Sequence, residues 1–423
     1  MNLIFNEFIR FLKDRDVNIE KYNLKEGYYW LDNYIIKAYD KEGIIHKIVR
    51  IHIDGKLEMT ITGYKEEKKV YEIESWYETL TRNIERLELL EKESLDIIQN
   101  ISNKYKDYNL SILSSTGKDS MLVSHLVNKL YPDTETLFTN TSIDCVDTYK
   151  FVKSLKNITI INPKEGFYQW QKRNNFIPTM FHRACCDIFK ENAMIRQMPE
   201  GEKYLFFMGM RNSESSTRAN YTDEWKHTKW GDREWQGVLP IRKWDETDVW
   251  LYILLKNIII NPKYKKGYDR VGCAIVCPYQ NKLKWVLDKY WYPQMYDRWQ
   301  NILDEDFTKN NKALVMNCTK EEYKLKSWIG TLLRKTPTEE VINEFAEMNN
   351  LNKDIAEKYF CHTCDICNKK IRSKEVLAMN MKYNGRNINK FYCKKDLMKL
   401  LNIDKEQWNK NVESFKDQGC DLF

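Results

Sequence analysis

Hydrophobic and polar positions follow two helical patterns and one strand pattern in the first 105 residues. The opening stretch MNLIFNEFIRFLKDRD is amphipathic and predicts a helix. Two alternating segments, IHKIVRIHI and KLEMTITGY, flank Asp54-Gly55 and predict a β-hairpin. Residues 72–105 contain no Gly or Pro and space Leu, Ile and Trp at helical intervals. We therefore expect residues 1–105 to form an α+β unit with a connecting helix.

From residue 106 the pattern changes to short apolar runs that alternate with helical segments. The runs NLSILSS, TLFTNTS, ITIINP and YLFFMGMR are typical of buried strands, and MLVSHLVNKL, DTYKFVKSL and ETDVWLYILLKNI are typical of helices. Such an alternation predicts a Rossmann-like α/β domain over residues 106–280, with a parallel sheet covered by helices on both faces. We expect a helical region at 281–360 and a small separate module at 361–423.

Composition and charge narrow the class of protein. The 423 residues are 42% hydrophobic and include 13 Trp, 26 Tyr and 17 Phe, which excludes disorder as the main state. No apolar run approaches the roughly 20 residues of a membrane span, and the N-terminus has no signal-peptide pattern. We therefore expect a cytoplasmic protein with no membrane partner. The net charge of +7 permits nucleic acid as a partner without requiring it.

The loop SSTGKDS at residues 114–120 lies between a predicted strand and a predicted helix. Gly117 allows backbone amides to approach an anion, and the N-terminus of the following helix favours negative charge. Lys118 supplies a positive charge, and Asp119 is a candidate Mg²⁺ ligand. The loop lacks the G-x-x-x-x-G-K-[ST] spacing of a Walker A motif, and an ordinary capped turn is the alternative.

Four segments in order resemble motifs of the phosphoadenosine phosphosulfate (PAPS) reductase family of PP-loop enzymes. The loop is similar to S-x-G-K-D-S, and residues 140–148 are similar to N-T-G-x-x-x-x-E-T. Residues 209–218 are similar to G-x-R-x-x-E-S-x-x-R, and residues 240–250 are similar to P-I-x-x-W-x-x-x-D-V-W. The resemblance covers about 40% of the chain, residues 108–280, and implies the adenine nucleotide α-hydrolase-like fold.

The resemblance also implies a set of site residues. Lys118, Asp119 and Arg211 are the expected catalytic residues. The expected nucleotide-binding residues are Ser115, Thr116, Gly117, Lys118, Asp119, Ser120, Asp144, Arg211 and Arg218. Bidentate Arg contacts suit phosphate or sulfate, so the two arginines are assigned to the far end of the nucleotide. Trp244 and Trp250 are expected in the core rather than against a base.

The expected substrate is ATP with Mg²⁺, because G-K-D-S resembles family members that split the α–β bond of ATP. Cleavage at the α-phosphate would activate an acceptor for sulfur insertion or transfer, with a sulfur donor protein as a partner. The alternative is reduction of PAPS or adenylylsulfate to sulfite. That reading is weakened because the chain lacks the reductases' E-C-G-[IL]-H segment, and Cys420 has no matching flanks. A third hypothesis is a nucleic-acid-binding or regulatory protein with a silent nucleotide domain.

Eleven cysteines, several of them clustered, indicate metal sites in a reducing compartment. Cys185 and Cys186, with Cys273 and Cys277, supply the four thiolates that a [4Fe–4S] cluster needs. The resemblance implies such a cluster, although the second pair is C-x₃-C where many relatives have C-x₂-C. Zinc, or four inert buried cysteines, are the alternatives.

The C-terminal module resembles a treble-clef or LIM-type zinc finger. Cys364 and Cys367 form one knuckle, and Cys393 with Asp396 forms a second at a helix start, giving four candidate Zn²⁺ ligands. Asn384-Gly385 between them predicts a hairpin. Two further residues, Cys361 and His362, compete as ligands. Residues 361–423 carry 13 Lys and Arg against 8 Asp and Glu, so the module is either a phosphate-contacting surface or a solvated folding unit.

Overall fold

The computed structural model describes residues 1–64, 72–180, 182–278, 281–325, 328, 337–360, 362–371, 373–384, 390–418 and 420. The chain divides into two compact units. The N-terminal unit contains Met1–Phe176 and Ala184–Tyr296, and the C-terminal unit contains Ile177–Arg183 and Asp297–Phe423. Among the described residues, no helix combines the length and the apolar character that crossing a membrane would require.

The strands of the described chain lie in the N-terminal unit. They are β1 (Asn2–Leu3), β2 (Tyr29–Asp32), β3 (Ile35–Tyr39), β4 (Ile45–Ile53), β5 (Met59–Gly63), β6 (Asn109–Leu113), β7 (Glu135–Thr139), β8 (Ile158–Ile161), β9 (Tyr204–Met208), β10 (Glu224–Trp225) and β11 (Trp235–Val238).

The helices of the same unit follow the predicted alternation with the strands. They are α1 (Asn6–Arg15), α2 (Trp76–Arg82), α3 (Ile84–Lys104), α4 (Lys118–Leu130), α5 (Val146–Ser154), α6 (Phe167–Asn174), α7 (Ala184–Cys186), α8 (Asn192–Gln197), α9 (Glu246–Leu255) and α10 (Lys282–Trp291). A π-helical turn, Asp187–Glu191, joins α7 to α8.

The first sheet confirms the α+β character predicted for the start of the chain. Its strands run in the order β1-β2-β3-β4-β5, and every neighbouring pair is antiparallel. The pairs Ile53↔Met59 and Ile51↔Ile61 close the hairpin predicted around Asp54-Gly55. Asp54 stabilises this turn, because its side chain accepts the backbone N–H groups of Lys56 and Glu58 at 2.8 Å each.

The second sheet confirms the predicted parallel α/β core. Its order is β10-β11-β9-β6-β7-β8, and all pairs are parallel except β10 with β11. Alternate residues of β9 enter two different hydrophobic clusters: Leu205 and Phe207 pack with α3, α4 and α9, whereas Phe206 and Met208 pack with α8. Helices therefore cover both faces, which explains why β9 is buried at every position.

Trp244 and Trp250 are buried, as the sequence predicts, and each donates a hydrogen bond to another part of the fold. The Trp244 indole donates to Ser94 Oγ of α3 at 3.0 Å, and the Trp250 indole donates to Asn2 Oδ1 at 3.1 Å. Arg86 of α3 forms a bidentate pair with Asp248 of α9 at 2.7 and 2.8 Å. The two helices are thereby fixed at the edge of the sheet from which the site is built.

The C-terminal unit is helical in the part that the structure describes. Its helices are α11 (Pro293–Lys309, which begins in the N-terminal unit), α12 (Lys312–Met316), α13 (Lys320–Leu325), α14 (Glu339–Met348), α15 (Lys353–Phe360), α16 (Lys374–Asn384), α17 (Lys394–Leu401) and α18 (Lys405–Asp417). Helices α10 to α15 occupy most of the described part of residues 281–360, the region expected to be helical.

The hairpin predicted around Asn384-Gly385 is wrong. Asn384 is the last residue of α16, and Gly385 lies outside the described residues. Ala378, Met379 and Met381 of α16 are buried, so packing of this helical stretch outweighs the turn signal. The predicted helix start after Cys393 is confirmed, because Cys393 is the N-cap residue of α17.

Candidate active site

A cleft of about 680 Å³ lies in the N-terminal unit at the carboxyl ends of the parallel strands. The loop after β6 and the segment after β9 form adjacent walls, since β6 and β9 are paired neighbours. Ligands of open α/β sheets bind at this edge. The topology therefore brings the first and third motifs of the sequence to one place.

Hydrogen bonds of its own side chains, and one to Tyr264, fix the loop after β6. Thr116 has a left-handed φ of +59°, and its N–H donates to Ser114 Oγ at 3.0 Å. Ser120 Oγ donates to the Gly117 carbonyl at 2.9 Å. The Lys118 N–H, in the first turn of α4, donates to the buried hydroxyl of Tyr264 at 2.9 Å. These bonds fix the α4 N-terminus at the cleft wall.

Gly209 allows β9 to approach this loop. A Cβ added at Gly209 would lie 2.6 Å from the Asp119 carbonyl carbon and 2.7 Å from the Ser120 nitrogen. Backbone atoms cannot move aside as the end of a flexible side chain can. The third motif therefore begins with glycine because the two walls touch here.

Three charged side chains form the floor of the cleft. Asp119 accepts Arg211 Nε at 2.6 Å through one oxygen and Lys118 Nζ at 3.1 Å through the other. Lys118 Nζ also lies 3.1 Å from Glu246. Lys118 and Arg211 are both at least 95% buried, so these ion pairs are shielded from water.

These ion pairs determine the protonation states of Lys118 and Asp119. Burial opposes the charge on Lys118, but the Asp119 carboxylate, the Tyr264 hydroxyl and the Glu246 carboxylate raise its pKa above the ordinary lysine value. Burial likewise opposes the charge on Asp119, but Lys118 and Arg211 lower its pKa. All three groups are therefore charged near neutral pH, and the floor is an ionic triad rather than an acid–base pair.

Arg218 and Asp144 stand on opposite walls of the cleft. Arg218 pairs with Glu214, which also accepts the Arg211 N–H at 3.1 Å. The glutamate of the third motif thus organises both arginines. Asp144 accepts the hydroxyl of Thr141 at 2.6 Å and is buried.

The cleft carries a small excess of positive charge. Five cationic side chains are among the described lining residues: Lys118, Lys190, Arg211, Arg218 and Arg270. Seven carboxylates also line it, of which Asp32, Asp245 and Asp269 pair with cations outside the lining. The N-terminal ammonium of Met1 also lines the cleft and pairs with Glu246. Four carboxylates then face six positive groups, so the cleft holds only about two spare positive charges.

Most of the residues expected to bind nucleotide line this cleft. They are Ser115, Gly117, Lys118, Asp119, Ser120, Asp144, Arg211 and Arg218. Thr116 does not, because its side chain is fully buried and accepts Asn261 Nδ2 at 3.0 Å. Any contact from Thr116 would therefore come from its backbone.

The sequence interpretation missed Glu246 and Tyr264 as lining residues. Glu246 is the first residue of α9 and occupies a variable position of the fourth motif, so the motif gave no signal for it. Tyr264 follows Asn261-Pro262 in a turn, where nothing in the pattern distinguishes it from an ordinary loop tyrosine. Its contact with the loop is long-range and visible only in the fold.

The structure brings the four cysteines of the predicted iron–sulfur set to one side of the cleft. Cys185 and Cys186 share a hydrogen bond, which with burial raises the pKa of Cys185, and Cys273 and Cys277 raise it further. Burial raises the pKa of Cys273 to about 11 against the opposing effect of Lys190. Lys190 lines the cleft, so the cysteines lie next to the cleft.

The four cysteines are less tightly gathered than the ligands of one tetrahedral ion. A tetrahedral zinc site with Zn–S bonds of about 2.3 Å holds its sulfurs about 3.8 Å apart. The quartet is not among the groups of described residues whose ligand atoms all lie within 4.8 Å of one another. A [4Fe–4S] cluster holds its cysteine sulfurs further apart than a single ion does.

The loop between Cys273 and Cys277 is strained and anchored. Ile275 has a φ of +61°, which is rare for a β-branched residue, and its N–H donates to Asp288 Oδ2 at 3.1 Å. Asp288 also accepts the Tyr268 hydroxyl at 2.7 Å and is buried. The extra residue of C-x₃-C is therefore accommodated by a fixed loop.

In the C-terminal unit, Cys364, Cys367, Cys393 and Asp396 have ligand atoms within 4.8 Å of one another. The sulfurs of Cys367 and Cys393 are 3.8 Å apart, the spacing of two thiolates on one tetrahedral ion. Asp396 Oδ2 lies 3.1 Å from the sulfurs of both Cys364 and Cys393. Hydrogen bonds from the three thiols lower the pKa of Asp396 to about 2, so its carboxylate is anionic near neutral pH.

His362, one of the two competing ligands, does not join this group. The His362 ring packs against Phe391 with centroids 4.0 Å apart, and burial lowers the pKa of His362 to about 4. It is a neutral core side chain. Cys361 lies outside the described residues. Of the remaining cysteines, Cys145 and Cys318 are buried, and Cys420 lies just beyond α18.

Comparison with known proteins agrees with the motifs. Residues 109–278 match the family model of the phosphoadenosine phosphosulfate reductase domain. The match supports the PAPS reductase family for the α/β core. The matched residues include the loop after β6, the segment after β9 and all four cysteines beside the cleft. They make up less than half of the chain.

Individual relatives extend this picture. An uncharacterised protein of Methanocaldococcus jannaschii is 32% identical over 252 residues, 56% of this chain and 60% of that protein. The adenosine 5'-phosphosulfate reductase of Bacillus cytotoxicus is 25% identical over 182 residues, 40% of this chain and 74% of the enzyme. The chain thus spans about 60% of the length of the M. jannaschii relative.

Among solved structures, the phosphate complex of phosphoadenylyl-sulfate reductase from Candida auris aligns with 45% of this chain and 94% of its own, at 17% identity and a TM-score of 0.35. The B. cytotoxicus relative is named as a sulfonucleotide reductase, and it aligns with less than half of this chain.

Proposed function

We propose that the chain binds ATP with Mg²⁺ in the cleft and cleaves it at the α-phosphate, activating an acceptor for sulfur insertion or transfer. The small excess of positive charge in the cleft carries this proposal. Six positive groups against four carboxylates leave about two charges for a nucleotide that brings its phosphates and sulfate without a metal. A nucleotide that arrives as its Mg²⁺ complex needs less positive charge from the protein.

The residues have distinct roles in this reaction. Backbone N–H groups at the α4 N-terminus would hold the phosphates, with the Ser115 and Ser120 hydroxyls beside them. Lys118 and Arg211 would neutralise charge that develops on the leaving pyrophosphate. Both are already ordered by Asp119, so they need little rearrangement in the reaction. Asp119 is the expected carboxylate partner of Mg²⁺, which polarises the phosphoryl oxygens.

The test is calorimetry on anaerobically purified protein with ATP and Mg²⁺, ATP without Mg²⁺, and PAPS. We expect the Mg²⁺ complex of ATP to bind most tightly. Asp119→Asn should weaken it roughly tenfold to a hundredfold, as expected for loss of a charged hydrogen-bonding partner. The exposed Asp96→Asn is the matched control. Tighter binding of PAPS would overturn the proposal, and binding of no nucleotide would favour a silent domain.

Reduction of a sulfonucleotide is the second candidate function, because the named relatives are reductases. It predicts release of sulfite with a thiol donor. Cys420 is the nearest candidate for the reductases' C-terminal cysteine, although its flanking residues do not match. Cys420→Ser should abolish sulfite release if this candidate is right, and should leave pyrophosphate release unchanged if the adenylation proposal is right.

The metal groups follow from the donor sets. We propose that Cys185, Cys186, Cys273 and Cys277 hold a [4Fe–4S] cluster, which would supply charge or a labile sulfur beside the nucleotide. Lys190 supports this role because its ammonium faces the cysteines and raises the stability of their thiolates. Iron and sulfide analysis with visible absorption tests it. Loss of the signal in Cys273→Ser but not in Cys318→Ser is expected, and zinc without iron would contradict it.

We further propose that Cys364, Cys367, Cys393 and Asp396 hold a structural Zn²⁺. Four protein ligands leave no open position for substrate, so the ion would stabilise the fold and take no part in the reaction. Metal analysis should find one zinc lost in Cys393→Ser. Full zinc content in that variant would contradict the assignment.

A further inference from the structure

A second cleft in the C-terminal unit is lined by lysines. Its volume is about 1090 Å³, and it lies beside Cys393 between the first knuckle, α17 and the start of α18. Six lysines line it: Lys369, Lys370, Lys394, Lys395, Lys399 and Lys405. Asp404 is the one carboxylate among the described lining residues. The sequence showed a basic module, but not that its charges converge on one concave surface.

Most of this positive charge is available to a ligand. Lys394 pairs with Glu375 at 3.4 Å. Within the described residues, no carboxylate lies within 4.0 Å of the ammonium groups of Lys370, Lys395 or Lys405, and all three side chains are exposed. Several exposed like charges on one concave surface produce a positive potential that attracts an anionic partner.

The chemistry of the cleft points to a phosphate backbone. Lysines present point charges without the fork that reads one carboxylate or base edge, so they suit repeated phosphates contacted without sequence preference. The volume far exceeds what a single phosphate fills. Apolar side chains of Ile371, Val376, Met398 and Ile403 lie among the lysines. They offer contact to sugars, whereas no aromatic residue of the described lining would stack on a base.

We infer that this lysine cleft binds the sugar–phosphate backbone of a nucleic acid with little sequence preference. The inference is independent of the proposed nucleotide chemistry, because its residues lie in the C-terminal unit and include none assigned to the α/β core. The metal group beside it would hold the two lysine-bearing segments, the knuckle and α17, in one arrangement.

The test measures binding of the full-length metal-loaded protein to fluorescent single-stranded and duplex oligonucleotides of mixed sequence by anisotropy. The affinity of the native chain should fall steeply with salt. The triple variant K370A/K395A/K405A should bind at least about tenfold more weakly, and its log–log salt slope should be shallower by about two to three. Each of these lysines lies outside the metal group, so zinc content and circular dichroism should match the native chain.

The control is K56A/K92A/K106A, which removes the same charge from exposed lysines of the N-terminal unit and should bind as the native chain does. ATP binding should be equal in all three proteins, so failure here is distinguishable from failure of the proposed function. Absence of oligonucleotide binding, or equal loss in the control, would overturn the inference. Tighter binding of polyglutamate than of the oligonucleotides would overturn it in favour of an acidic protein partner.

Discussion

Gly209 is the residue on which the shape of the candidate active site depends most directly. Arg211 reaches Asp119 only because the chain after β9 lies against the loop after β6. The ion pairs of the floor are consequences of that backbone contact. A change at Gly209 therefore acts on the charged residues without altering their identity.

Gly209→Ala should weaken nucleotide binding at least about tenfold and lower the free energy of unfolding by about 1–3 kcal/mol, the usual cost of an overpacked position. The reason is the 2.6 Å contact that the new methyl group would make with backbone of Asp119. Calorimetric titration with ATP and Mg²⁺ and chemical denaturation are the measurements. Gly55→Ala is the control, since a Cβ there meets nothing within 4 Å. Equal effects of both variants would refute the explanation.

His125 of α4 should make stability depend on pH. Burial, aided by Lys129, lowers its pKa below the ordinary histidine value, and Glu91 opposes this only in part. The unfolded chain therefore binds the proton more tightly than the folded one. The resulting stability is present above about pH 6.5 and is lost as pH falls towards the folded pKa, with a slope of at most about 1.4 kcal/mol per pH unit.

Chemical denaturation of the native chain and of His125→Gln at two pH values, one above and one below about pH 6.5, checks this assignment. Glutamine has no charge at either pH, so the variant should lose much less stability on acidification than the native chain. An identical loss in both proteins would mean that other groups produce the pH dependence.

The loop between Cys273 and Cys277 shows how an element is positioned by residues outside its motif. Asp288 on α10 accepts the N–H of the strained Ile275 and the Tyr268 hydroxyl. Asp288→Ala should cost about 1–3 kcal/mol, because buried donors lose their acceptor. It should also raise the alkylation rate of Cys273 and Cys277 severalfold in cluster-free protein, whereas the exposed Asp96→Ala should not. An unchanged alkylation rate would show that the loop keeps its conformation without Asp288.

Local pattern predicted most elements of the fold. The Asp54-Gly55 hairpin and the alternation that builds the parallel sheet depend on residues close in sequence, and both are confirmed. The hairpin prediction at Asn384-Gly385 was wrong because this dipeptide is common at helix ends as well as in hairpin turns. Buried methionines of α16 decided between them, and their burial depends on partners distant in sequence.

The site residues that lie within one loop could be predicted from the sequence. Those that come together only through the fold were harder to predict. Lys118 and Asp119 stand in one motif, and their adjacency follows from the sequence. Tyr264 meets the loop across 146 residues of chain, so no local signal identified it. The lysine cleft has the same origin, since the knuckle and α17 are brought together by packing around Cys364 and Cys393.

The Zn²⁺ that we propose at Cys364, Cys367, Cys393 and Asp396 should stabilise only the region that depends on it. Three thiols and a carboxylate gathered within 4.8 Å repel one another once ionised, and an ion removes that repulsion. Treating the full-length protein with a zinc chelator should therefore raise hydrogen exchange in α16 and α17. Strands β6 and β9 should keep their protection, because they are buried in the separate core of the N-terminal unit.

Two variants make this result specific. Cys393→Ser should show the fast exchange of the chelated protein without any chelator, because it removes a ligand. Cys420→Ser removes a cysteine of the same unit that lies outside the metal group, and its exchange should match the native chain. Nucleic-acid binding should fall in Cys393→Ser together with the protection of α17, since the lysines at 395 and 399 lie on that helix. Retained protection in Cys393→Ser would show that packing around Trp408, and not a metal ion, holds this region.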